Sequence, residues 1–244
     1  MTFEGIHFDE DHPYSPREAM QLLIAAMVQI RKSDRLRDIG IEPSLPGRDR
    51  IKEEEEGAWD VVRLRGTGEG AFNESPHYSL SIRPEEVLAV LILPNRWLAG
   101  ASARTSFKAL GYGSFQSAIG KVTENLTAVI GSSKSARPWI LLQQRRATRG
   151  QQLDIRDSRI EFDPQTAVGP KTKTAGHNEI KPQPQWLRAT FSALANKSSN
   201  IEMCIGARFL YGDEILRTPA LVDRVIDSWA ACRPLLDAVL AVRV

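Results

Sequence analysis

The sequence predicts a single α+β domain over residues 1–244, with a mainly antiparallel or mixed sheet and helices packed on one face. Three observations lead there. Two strand pairs are close enough in the chain to be hairpins, "HYSLSIR" with "VLAVLIL" and the two halves of "RPWILLQQRRATRGQQLDIRDSRIEF". The helical segments each carry one apolar face at helical spacing. Strands and helices come in runs, without the regular βαβ alternation of a parallel sheet.

The first helix begins at "SPRE", where Ser15 is a good N-cap, Pro16 fits the first helical position and Glu18 completes a capping box. Met20, Leu23, Ile24, Met27, Val28 and Ile30 supply its core face, and Gly40 a stop. From Ile41 to Gly57 two prolines, two glycines and four consecutive glutamates read as a connector, the one place for an internal boundary. A strand follows at Trp59 to Arg65. The next pair alternates Tyr78, Leu80 and Ile82, turns at Pro84 and Glu85, and returns through Val87 to Leu93, apolar on both faces and therefore central.

After Pro94 the pattern becomes helical, weakly over Ala101 to Leu110. From Ser114 it is clear, with Phe115, Ile119, Val122, Leu126, Val129 and Ile130 on one side and Gly131 as terminator. The basic hairpin comes next, then a long polar loop over 163–184. A helix near Gln185 to Asn196 is built on Trp186, Leu187, Phe191 and Leu194, and a strand runs near Ile201 to Leu210. In the last helix Thr218 is the cap, Pro219 the first residue, Leu221, Val222, Val225, Ile226 and Trp229 the core stripe, and Pro234 a kink or restart. This ending, "FLYGDEILRTPALVDRVIDSWAACRPLLDAVL", faintly resembles the close of a widespread bacterial α+β family, a resemblance that carries no function.

No apolar run approaches the roughly 18 residues of a membrane span, and the acidic N-terminus does not read as a signal peptide, so a cytoplasmic protein is expected. Cys204 and Cys232 are the only cysteines, too few for a disulfide framework or a cysteine-rich zinc site, and both fit small core positions. The net charge of +2 conceals an asymmetry: residues 1–122 hold 15 basic and 18 acidic residues, the remainder 17 and 12. A basic second half suits a polyanionic partner.

The chemistry concentrates in the hairpin. Trp139 to Leu142 is apolar on both faces and Gln143 to Arg146 polar on both, so the strand leaves the core near Gln143, turns at Gly150 and returns through Leu153 and Ile155. The apolar parity then switches to Ile160 and Phe162, which calls for a bulge near Arg156 to Arg159. No acid lies between Asn125 and Leu153, an interval that holds Lys134, Arg137, Arg145, Arg146 and Arg149. A protruding basic ribbon can enter a groove or track a phosphate backbone, and Lys171 and Lys173 of the long loop would support it. The bland reading is that a projecting hairpin must be polar in any case, and no aromatic residue sits among the arginines for stacking.

The competing enzymatic reading takes Asp163, Glu179 and Lys181, an Asp followed by Glu-x-Lys, as the two metal-holding carboxylates and the water-polarising lysine of a divalent-metal nuclease. Against it, "NEIK" lies in a polar context and not on an apolar strand. "HFDEDH" offers His7, Asp9, Asp11 and His12 to a metal but suits a solvated segment better, and His77 reads as a surface or capping residue. "GSFQSAIGKV" lacks the spacing of a phosphate loop, and "GTGEGAF" lacks the helix of a dinucleotide site. The expectation is a non-catalytic nucleic-acid-binding or assembly subunit of a bacterial cytoplasmic complex. Its partners would be DNA or RNA, together with a protein or further copies of itself, and it would need no cofactor or metal. The alternatives are the nuclease or hydrolase and a purely structural interaction subunit.

Overall fold

Val87 to Leu93 has no polar face, so its strand must be covered on both sides, and it lies in the middle of a seven-stranded sheet. The computed structural model describes residues 2–41, 52–54, 57–65, 74–148, 151–162, 183–196 and 201–242. In chain order the strands are β1 (Lys52–Glu54), β2 (Gly57–Arg63), β3 (His77–Ile82), β4 (Glu86–Leu93), β5 (Ala136–Thr148), β6 (Gln151–Phe162) and β7 (Ile201–Leu210). Their spatial order is β1-β2-β3-β4-β7-β5-β6, and every neighbouring pair is antiparallel. Both expected hairpins are present. β7 is laid between them.

The helices are α1 (Pro16–Lys32), α2 (Arg35–Asp38), α3 (Asn95–Ala99), α4 (Ala101–Ile130), α5 (Gln183–Asn196), α6 (Leu221–Ala231) and α7 (Arg233–Leu240), with a 3-10 turn at Glu214–Arg217. Their buried apolar side chains join alternate strand residues, such as Val87, Ala89, Leu91 and Leu93, in one cluster. The helical layer therefore covers one face of the sheet. On the opposite face Leu88 and Val90 cluster with Trp139, Leu141 and Cys204. Trp139 stands across the ladder from Gly206, where an added Cβ would lie 2.1 Å from the Ala89 carbonyl oxygen, so only glycine lets β4 and β7 pair this closely.

Several local expectations need correction. Ser15 caps α1 by accepting from the Glu18 amide, but the helix stops at Lys32 instead of Gly40, and α2 completes the segment. The buried face of α1 includes Ala19, Leu23, Ala26, Met27 and Ile30, whereas Ile24 and Val28 are 42% and 36% exposed. One residue is a turn of about 100°, which takes both off the stripe, and the alanines leave room for α1 to approach β2 and β3. Lys52 to Glu54, expected in a loop, pair with β2. Gly111, at φ 73° and ψ 157°, interrupts α4 between its weak and its clear halves. Thr218 does not cap α6, since its hydroxyl donates to the Ile215 carbonyl and closes the 3-10 turn. Among the described residues no helix is long and apolar enough to cross a membrane.

Candidate nucleic-acid interface

β5 has two neighbours for only part of its length. The ladder with β7 runs from Ala136↔Phe209 to Gln144↔Ile201, while the ladder with β6 continues to Thr148↔Gln151. Beyond Gln144 the two strands form a ribbon paired only to itself among the described residues. At the root Gln143 is still buried, and its Nε2 donates to Glu202 Oε1 at 2.6 Å. The exit from the core thus falls one residue after the position read from polarity. Gln144↔Ser158 is followed by Arg145↔Arg156, which leaves Asp157 as the extra residue of a bulge inside the expected interval.

The candidate basic residues do not form one cluster. Arg145 and Arg146 are on the ribbon, opposite Arg156 and Ile155 in register. Lys134 and Arg137 are exposed at the other end of β5, and Arg137, the nearer, is eight residues from Arg145 and therefore about 26 Å away along the strand. Arg137 is opposite Arg208, whose guanidinium pairs with the Glu86 carboxylate. Arg149, Lys171 and Lys173 lie outside the described residues. So do Asp163, Glu179 and Lys181.

Other sequence candidates have structural partners. Asp9 Oδ1 accepts from the amides of Asp11 and His12 at 3.1 and 2.9 Å, and Oδ2 pairs with Arg217 at 2.9 Å. The His12 amide, with Arg217 beside it, holds the Asp9 carboxyl below the usual carboxylate range. His12 faces Glu18 at 2.9 Å, and no group of three potential metal ligands occurs among the described residues. His77, expected near the surface, is buried, with Nδ1 3.0 Å from the Ser75 carbonyl oxygen. Cys232 is fully enclosed, its Sγ donates towards the carbonyls of Ser228 and Ile205 at 3.3 and 3.4 Å, and burial pushes its thiol up to about 12. It is not a nucleophile near neutral pH. A water-soluble maleimide at pH 7.5 is expected to leave Cys232 unmodified in the folded chain and to label it in denaturant. Labelling of the native chain, located by peptide mass, would contradict that burial.

Composition gave no warning of two features. Arg83, Glu86 and Arg208 form a partly buried ion cluster, with Arg83 3.5 Å from Glu86, and the distance of Arg208 along the chain hides its part in it. A concavity of about 420 Å³ lies where Gly113, Ser114, Ser117 and Lys121 of α4 meet Pro234 and Ala238 of α7. Its α4 residues come from the segment rejected as a phosphate loop, and here that segment follows the Gly111 break inside a helix instead of joining a strand to one. No known protein family matches the chain, and no curated protein is similar to it.

Proposed function

We propose that the chain is a non-catalytic subunit that binds nucleic acid, or docks within a nucleic-acid assembly, through the β5–β6 ribbon. The observation that carries this reading is the end of the β7 ladder at Gln144, beyond which β5 and β6 stay paired through Arg145 and Arg146 to the Thr148↔Gln151 rung. A two-stranded ribbon is narrow enough for the major groove of a duplex, and arginine supplies charge-assisted, bidentate contacts to phosphates or guanine edges. The absence of acids from 126 to 153 means that this length of chain adds no repulsion towards a polyanion.

The test is the salt dependence of binding to a fluorescent duplex and to a single strand of the same length. Arg145→Ala, Arg146→Ala and Arg149→Ala together are expected to weaken binding and to flatten the slope of log K against log[salt] by roughly one per arginine. Lys134→Ala with Arg137→Ala should change it less, since the pair lies at the far end of β5. No binding by the wild type, or an affinity indifferent to the tip arginines, refutes the reading. Magnesium-dependent cleavage that disappears in Glu179→Ala would replace it with the nuclease.

A further inference from the structure

The geometry points to a second use of the same hairpin: the outer edge of β6 is a docking edge for a second copy of this chain, met antiparallel about a two-fold axis between Arg156 and Asp157. β6 is last in the sheet order, eight of its twelve residues are in register with β5 on one side, and among the described residues nothing pairs with the other. An open edge of that length is a template for another strand. Which strand it accepts follows from the bulge and from the order of charges.

In an antiparallel ladder the backbone groups of successive residues point alternately to the two edges. Two residues can be opposite only when both point towards the partner or both away. An unbroken strand that pairs with its own copy about a two-fold axis therefore brings together residues whose numbers have an even sum. The extra residue at Asp157 moves that alternation by one, so residues on either side of it meet only when the sum is odd. The irregularity between Arg146↔Ile155 and Thr148↔Gln151 inserts two residues and leaves the alternation as it was.

Among the odd registers, the one that sets Gln151 opposite Phe162 uses the whole strand. It places Asp154 opposite Arg159, Arg156 opposite Asp157 and Leu153 opposite Ile160, each twice by symmetry. A slide of two residues one way sets Asp154 opposite Asp157, and two the other way sets Arg156 opposite Arg159 and Asp154 opposite Glu161. Facing opposite charges stabilise a strand pair and facing like charges destabilise it, so the full-length register is the favoured one. The bulged strand lies against β5 from Ile140 to Thr148, so the two Gln151 positions would then be about 26 Å apart along the ladder. The pairing itself does not depend on nucleic-acid binding.

The experiment is sedimentation of the full chain over a range of concentrations, at low and high salt. The wild type is expected to dimerise reversibly and more weakly at high salt. Asp154→Arg and Arg159→Asp should each raise the dissociation constant by roughly tenfold, because each turns two symmetry-related attractions into repulsions. The two together should restore the wild-type value, since the charges have only exchanged places across the axis. Independently of any variant, amide exchange within 151–162 should slow as protein concentration rises. Bulges also serve to blunt exposed edges, and a chain that stays monomeric overturns the proposal. So does a dimer indifferent to both single changes, or exchange in β6 that does not respond to concentration.

Discussion

Replacement of Asp60 by alanine should destabilise the fold by about 3–5 kcal/mol, read as a lower urea midpoint at unchanged slope. Asp60 is 1% exposed, and its Oδ2 is 2.6 Å from Nη2 of Arg31, a residue of α1. Its Oδ1 accepts from the Val61 amide at 2.7 Å, so both carboxylate oxygens are engaged. Without the carboxylate, Arg31 keeps only a long contact to the Val61 carbonyl at 3.4 Å, and its Nε has no partner even now. A largely buried cation would be left without its counter-charge. Asp60→Asn preserves the shape and a hydrogen bond, so it should cost less. Joint replacement by Met at 31 and Leu at 60 should recover most of the loss, because both desolvation penalties disappear together. A cost below about 1 kcal/mol for the alanine variant would show that the pair contributes little.

Trp229→Ala should cost about 3–5 kcal/mol and lower the thermal midpoint by roughly 10 °C. Trp229 lies at the centre of the helical face, fully buried on α6 and tilted against Tyr78 at 5.8 Å. Its Nε1 donates to the Ser79 carbonyl at 3.2 Å, which ties α6 to the sheet as well as packing it there. Alanine removes both the largest of the fully buried side chains and that tie. Trp229→Phe fills much of the same space without the donor, and should cost about 1–2 kcal/mol. Equal losses in the two variants, measured by calorimetry, would mean that the hydrogen bond and not the ring volume is what matters.

Much of the fold was legible because several elements have an unambiguous period. β3 and β4 alternate or run apolar between turn residues, and the stripe from Leu221 to Trp229 permits one helical face. The bulge was legible too, since the apolar parity changes between Ile155 and Ile160, and the register shift falls at Asp157. What sequence missed depended on partners distant in the chain. Ile24 and Val28 are as apolar as their neighbours, and only the approach of α1 to the sheet decides which stripe is covered. Lys52 to Glu54 look like a solvated run, yet their backbone pairs with β2. The end of the β7 ladder at Gln144 follows the onset of polarity after Leu142, whereas the gap between Arg137 and Arg145 depends on how far β5 extends, which charge counts do not record.

The sheet order has a consequence for how the chain is made. β4 and β5, neighbours of β7 on its two sides, both precede it in sequence, and β7 at 201–210 follows β4 by more than a hundred residues. On the ribosome the apolar edge of β4 therefore waits on the order of ten seconds for its partner. During that interval the β1–β4 meander and the β5–β6 hairpin are separate fragments with open edges. A nascent chain arrested before residue 201 should bind holding chaperones and resist compaction, and synthesis past β7 should allow both halves to join in one late step.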